Sequence, residues 1–378
     1  MSLPVFFEMG LLHKKCRVNA NNIRKENQQM INRLLEHARN LGCSDIHIMS
    51  GEPPIVRLRG ELTRIGDLNP YTPEEVRCIT SDMMRVSVSD PDPDRDSQFC
   101  YITPMGNRQR VNIYHSQGRC SIAVRLLQPT VPTMEAFHLP AVLRSVAKYR
   151  SGLILINGEA GSGRTTTVTA LLNLINEKKG SHILILESPV EYIHEGKRSL
   201  ISHRSVGTDV ESLAQGVEAA LKEDVDILSL GELTDAASID AALAAAQAGC
   251  LVFASLRADS TQAAFSRILR AYPAQDRPVV LRQLSRCLRA ITTQCLLPVA
   301  GGDSLVPAFE ILRVNDEVAS RIALDRLDEI RPLMREDSSL GMSTMEQSLA
   351  ELVNSQTVTK EWAQYYSLQP QELAEYLK

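Results

Sequence analysis

Residues 152–167 read GLILINGEAGSGRTTT. An apolar, β-prone run at 153–156 enters a glycine-rich turn, and a helical pattern at 165–178, TTTVTALLNLINEK, leaves it. Strand, loop and helix in that order make a phosphate cradle. Gly158, Gly161 and Gly163 let backbone N–H groups converge on an anion, and the following helix adds the positive end of its dipole. Gly158, four residues, Gly163, a basic residue and Thr165 reproduce the P-loop spacing, with Arg164 where a lysine is usual. The expected nucleotide contacts are Gly158, Gly161, Ser162, Gly163, Arg164, Thr165 and Thr166, with the Thr165 hydroxyl on the magnesium ion of ATP-Mg2+. A lysine is a compact point charge, whereas a guanidinium is longer, planar and forked. Arg164 is therefore expected to spare binding more than hydrolysis.

Downstream the pattern alternates. Strand 183–186 (ILIL) is followed by Glu187, helix 213–221 by strand 227–230 (ILSL) and then Gly231 and Glu232. Helix 236–248 stops at Gly249, and 251–256 (LVFASL) is again a strand. Such alternation implies a parallel, doubly wound sheet with its ligand at the carboxyl ends of the strands. Glu232 and Glu187 would then stand at the same edge as Arg164. Glu232 is the better candidate to orient or activate a water, and Glu187 is a second carboxylate. Chance placement is the rival for either acid alone and much weaker for both beside a P-loop.

Upstream, 27–41 puts Met30, Ile31, Leu34, Leu35 and Ala38 on one helical face. Ile46, Ile48, Val56, Leu58 and Leu62 alternate as a pair of half-buried strands around a turn at 51–54, with His47 as a strand residue. A helix at 73–84, an acidic proline-broken loop at 89–97 and strands at 108–115 and 121–127 complete an α+β domain ending near Pro140. Arg108, Arg110 and Arg125 leave that apolar alternation as either a solvated face or phosphate partners. A helix at 141–149 leads into the P-loop strand. Beyond Arg267 helices are expected at 279–290, 318–327, 345–353 and 370–377, interrupted by a strand pair at 290–312 turning at 301–302, a region suited to contact.

The chain has 378 residues, 44% hydrophobic and 23% charged, with a net charge of -4, which gives no general attraction to nucleic acid. Its eight cysteines are scattered without a C-x-x-C pair, as in a cytosolic protein with reduced thiols. No apolar run reaches the roughly 18 residues of a membrane span. The opening MSLPVFFEMGLLHKKCR has apolar residues before basic ones, the reverse of an export signal, and is expected to fray or touch a membrane surface.

The chain resembles the type IV pilus retraction ATPases (PilT/PilU) of the secretion ATPase superfamily over about residues 28–355. The likeness rests on SDIHIMSGEPPIVRLRGEL, RVNIY, the P-loop, ILILESPVEYIH, ALKEDVDILSLGELTD, AALAAAQAGCLVFASLRADS and SLGMSTMEQSL, with 331–349 closer to the PilU pattern. The resemblance implies an α/β chain with a tail (1–26), a PAS-like N-terminal domain (27–140), a RecA-like P-loop ATPase core (141–295) and a mostly helical C-terminal region (296–378). It implies a hexameric ring, homomeric or mixed with a paralogous pilus ATPase, on the cytoplasmic side of the bacterial inner membrane beside a pilus platform protein. In such a ring Arg108, Arg110 and Arg125 match arginines that reach a shared nucleotide. The absence of a tetracysteine zinc site favours retraction over extension.

Several positions depart from the family pattern. Arg164 replaces the P-loop lysine, and E-D-P becomes Glu187, Ser188, Pro189. G-E-M-R-D becomes Gly231, Glu232, Leu233, Thr234, Asp235, and the His box L-H-T-T becomes Leu256, Arg257, Ala258, Asp259. No histidine lies beyond His203, and the A-I-R-N-L-I-R-E helix is not kept around 318–325. The expectation is a pilus ATPase with weak or absent hydrolysis. The alternatives are a nucleotide-binding accessory ring that acts through an active paralogue, and a DNA-translocating ring, which would need a basic channel.

Overall fold

The computed structural model describes residues 20–58, 60–65, 68–88, 91–127, 130–302, 304–336 and 341–377, with side chains from residue 28 onward. The opening segment 1–17 lies outside the described residues. The rest divides into two units, one running to Thr130 and including Pro189–Tyr192, the other comprising Val131–Ser188 and the chain from Ile193 onward.

The first unit contains α1 (Ala20–Asn40), β1 (Cys43–Met49), β2 (Ile55–Leu58), β3 (Glu61–Arg64), α2 (Pro73–Arg85), β4 (Ser97–Ile102), β5 (Arg108–Ser116) and β6 (Arg119–Leu126). Its strands pair antiparallel in the order β3-β2-β1-β6-β5-β4. Because side chains alternate across a strand, Ile46, Ile48, Val56, Val111, Ile113, Ile122 and Val124 share one face. They form a single core with Ile31, Leu34 and Leu35 of α1 and Val76, Ile79 and Met83 of α2. Thr72 starts α2 through a capping box with Glu75, and Pro73 occupies the first turn, where its missing N–H has no partner to lose. Two features differ from expectation. The expected second strand is two, and Leu62 on the outer one, β3, is 55% exposed. The strand β4 was not expected; it too is an edge strand, with one neighbour and a weak apolar pattern.

The second unit contains α3 (Ala141–Val146), β7 (Gly152–Asn157), α4 (Arg164–Lys178), β8 (His182–Glu187), β9 (Leu200–Ser205), α5 (Leu213–Ala220), β10 (Ile227–Glu232), α6 (Ala236–Ala248), β11 (Leu251–Leu256), α7 (Thr261–Arg270), α8 (Arg277–Cys287), β12 (Leu288–Pro298), β13 (Leu305–Arg313), α9 (Asp316–Ala323), α10 (Ile330–Glu336), α11 (Met345–Asn354), α12 (Lys360–Tyr366) and α13 (Pro370–Tyr376). The sheet order is β13-β12-β7-β11-β10-β8-β9, parallel except for β13. Both faces are covered, which is why β7 is buried at every position. Leu153, Leu155, Leu184, Leu186, Leu228, Leu230 and Val252 pack with α5–α8, while Ile154, Ile156, Ile183, Ile185 and Phe253 pack with α3 and α4. Each such side chain contributes about 1.5–3 kcal/mol of burial.

The helix expected at 279–290 ends at Cys287, and residues 288–290 begin β12 instead. Pairing with β7 in the parallel sheet overrides the helical periodicity there. The strand β12 runs through residues 295–296, and α11–α13 gather on Leu297 and Ala308 as a small core of their own. Arg331 of α10 ties these helices together, reaching Glu310 of β13, Glu346 of α11 and Glu372 of α13. Burial pushes the Glu310 carboxyl up.

Between β8 and β9 the buried His194 stacks on His203, and its backbone N–H donates to His203 Nε2 at 3.1 Å. Burial first, then the His203 and Lys197 charges, lower the His194 imidazole to about 4. The folded state therefore holds fewer protons than the unfolded chain between about pH 6.5 and 4, so stability falls as pH drops through that window. Denaturant unfolding should show a loss on the order of 2 kcal/mol across it, and His194→Gln should flatten that acid limb. An unchanged slope in the variant would contradict the assignment.

Candidate active site at the phosphate loop

The loop between β7 and α4 needs its glycines for different reasons. Gly158, Gly161 and Gly163 have φ of 147°, 81° and 90°, which side-chain-bearing residues avoid. Gly158 is also crowded: a Cβ there would lie 2.2 Å from Ser162 Oγ and 2.6 Å from the Gln294 carbonyl. The loop is held from β12, where Gln294 Nε2 donates to the Ser162 carbonyl at 2.6 Å. Gly163 is the N-cap of α4 and makes no side-chain cap, so the first-turn N–H groups, those of Thr165 and Thr166 included, receive no capping side chain. Uncapped first-turn donors at a positive dipole end favour an anion. Among the described residues the buried Ser162 Oγ and Arg164 Nη1 have no hydrogen-bond partner.

Arg164 is the first residue of α4, and its Nη2 donates to Glu232 Oε2 at 3.3 Å. A bulge places that carboxylate. Register shifts between Leu230 and Glu232 at the end of β10, so that Glu232 pairs with Ser255, with Gly231 as the inserted residue. Two more guanidiniums meet the same carboxylate. Arg257 Nη2, just past β11, donates to Oε2 at 3.3 Å, and Arg267 Nη2 of α7 lies 3.8 Å from Oε1. The geometry follows from topology, because β7, β11 and β10 are consecutive in the sheet and parallel, so their carboxyl ends share an edge.

Glu187 ends β8 beside β10, with its Cα 3.8 Å from where a Cβ on Gly231 would stand. Asp235 is occupied structurally as the N-cap of α6, where the Ser238 backbone N–H holds its carboxyl below the usual range. Arg108, Arg110 and Arg125 belong to the first unit, on the sheet face opposite its core. Arg110 and Arg125 are cross-strand partners, a like-charge pair offset by acids. Arg110 pairs with Glu191 at 2.9 Å and Arg125 with Asp45 at 2.9 Å, while Arg108 donates to the Val190 carbonyl at 3.0 Å. Arg267 and Gln294 were not singled out from the sequence. Neither stands at a motif, and only their place beside β10 and the loop brings them in.

Residues 24–314 match the family model of type II/IV secretion system proteins. The chain is 32% identical over 332 residues to the type IV pilus retractation ATPase PilT of Pseudomonas aeruginosa, covering 88% of this chain and 96% of that protein. The chain belongs to the type IV pilus retraction branch of the secretion ATPases. Members similar to it include a Neisseria gonorrhoeae twitching motility protein, 34% identical over 85% of this chain and 88% of that protein. PilU of Pseudomonas aeruginosa is 28% identical over 85% of this chain and 84% of that protein, so overall identity does not repeat the lean of 331–349 toward PilU. The crystal structure of the retraction motor PilT with bound ADP superposes with a TM-score of 0.81 at 31% identity, covering 91% of this chain and 99% of that one. This family fold, a β-rich N-terminal domain and an α/β ATPase core, matches the α/β architecture expected from the sequence. Among the described residues no helix is long and apolar enough to cross a membrane, and no group of three or more His, Cys, Asp or Glu side chains could hold a metal ion.

Gly158→Ala should force the loop to shift, because both the backbone conformation and the Ser162 and Gln294 contacts oppose a methyl group. The expected loss is about 2–4 kcal/mol by denaturant unfolding, against well under half that for Gly180→Ala, where φ is not left-handed and a Cβ meets only the Arg198 carbonyl at an ordinary 3.6 Å.

Proposed function

We propose that this chain is an ATPase subunit of a type IV pilus machine that binds ATP with Mg2+ at the 158–166 loop and turns it over slowly. The observation that carries this reading is the uncapped start of α4, opening from a loop of left-handed glycines, with the unpartnered Arg164 Nη1 beside it and Glu232 within reach. Backbone N–H groups of 161–166 and the Arg164 fork would hold the phosphates, the Thr165 hydroxyl would hold Mg2+, whose charge would offset that of the phosphates, and Glu232, seconded by Glu187, would orient the attacking water. Charge placement of this kind is most of what a protein contributes to phosphoryl transfer.

Slow turnover follows from the same geometry. Glu232 oxygens that already accept from guanidiniums are less available to accept a hydrogen bond from an attacking water, and Arg164 cannot place its charge as a lysine would. That observation also favours a second reading, a nucleotide-binding accessory ring that serves an active paralogue by contact. In both readings the subunit works in a hexameric ring at the cytoplasmic face of the inner membrane, against the pilus platform protein, and assists retraction. Arg108, Arg110 and Arg125 would there exchange their present partners for a neighbour's nucleotide.

Steady-state phosphate release by the purified protein separates the two. A motor subunit should show turnover that Glu232→Ala lowers by about 100-fold or more. An accessory subunit should bind nucleotide without turnover and gain activity in Arg164→Lys. A rate unmoved by Glu232→Ala would sink the first reading.

A further inference from the structure

Two of the departures from the family P-loop and His-box patterns, Arg164 and Arg257, meet on one oxygen. Both donate to Glu232 Oε2 at 3.3 Å, and Arg267 approaches Oε1 at 3.8 Å. Three cations on one carboxylate exceed what a single ion pair needs. The side chains of Arg164 and Glu232 are only 13% and 24% exposed, so neither charge is left unpaired at low cost. Arg257 and Arg267 are 49% and 43% exposed, placed where they can be removed without opening the core.

We propose that Arg257 and Arg267 are positioning residues that hold Glu232 so that Arg164 can leave it for a nucleotide's phosphates. This rests on the nucleotide-binding reading above. In the empty site Glu232 competes with phosphate for Arg164. A phosphate carries more negative charge and more acceptor oxygens than a carboxylate, so it draws Arg164 away. Glu232 would then be a half-buried unpaired anion, were its two oxygens not still met by Arg257 and Arg267. Removing Arg257 raises the penalty for releasing Arg164 and so weakens nucleotide binding, though Arg257 itself need never touch the nucleotide.

A double-mutant cycle on ADP affinity tests this, measured with EDTA present so that no carboxylate acts through a metal. Glu232→Gln, which removes the competitor, should bind ADP about three- to tenfold more tightly. Arg257→Ala should bind it more weakly by a similar factor, and Arg257→Lys should restore most of the loss. In the Glu232→Gln background, Arg257→Ala should change affinity by less than about twofold. A loss from Arg257→Ala that persists undiminished in that background would mean that Arg257 attracts phosphate directly, and would overturn the proposal. So would unchanged or weaker binding by Glu232→Gln. Thermal unfolding of each variant checks that the fold is intact. If neither the wild type nor Glu232→Gln binds ADP, the functional reading fails along with this one. Binding without the coupling removes this one alone.

Discussion

Parallel pairing of β7, β11 and β10 is the constraint from which the site follows. Parallel neighbours carry their carboxyl ends to the same edge of the sheet, and each of these strands ends in a residue or loop with a charge to place. After β7 comes the glycine loop and Arg164, after β11 comes Arg257, and β10 itself ends in Glu232. The pairing depends in turn on strands that bury both faces. Alternate Leu and Ile side chains of β7 and β8 enter two different cores, one under α5–α8 and one under α3 and α4. With water excluded from both faces, the ladder has no competitor for its hydrogen bonds, and the strand ends are held to within the tolerance that charge placement requires.

The second unit contains two charge clusters of opposite composition. At the loop one carboxylate, Glu232, is met by three guanidiniums. Near the C-terminus one guanidinium, Arg331, is met by three carboxylates. The second cluster joins β13, α10, α11 and α13, and burial pushes its Glu310 carboxyl up, the direction that offsets an excess of negative charge. A guanidinium in the first cluster has no comparable recourse, because it does not give up its proton in this pH range. That cluster's surplus positive charge stands beside an uncapped helix start, and an anion is the natural complement.

Much of this was legible in the residues alone. The P-loop spacing, the acids after the strands and the amphipathic faces of α1 and α2 are local patterns, each set by a period or a turn requirement. What escaped was mostly at edges. The strands β3, β4 and β9 lie at the rims of their sheets, pair on one side only, and need no strong apolar alternation. The end of α8 escaped for another reason: residues 288–290 fit a helix by periodicity and became strand because β7 offered a partner.

The amino-acid sequence by itself determined a phosphate loop between a buried strand and a helix, a doubly wound order of elements, and the charges available at the strand ends, because each of these depends on residues close together in the chain. Tertiary structure alone decided which charges meet. Arg164, Glu232, Arg257 and Arg267 span about a hundred residues and share no motif; a bulge at Gly231 and the sheet order β7-β11-β10 bring them to one carboxylate. It likewise gave Arg108, Arg110 and Arg125, a set of outward strand positions in the sequence, each a specific acceptor in its own unit. Coulomb interactions fall with distance in space, not along the chain, so only the folded sheet could make these assignments.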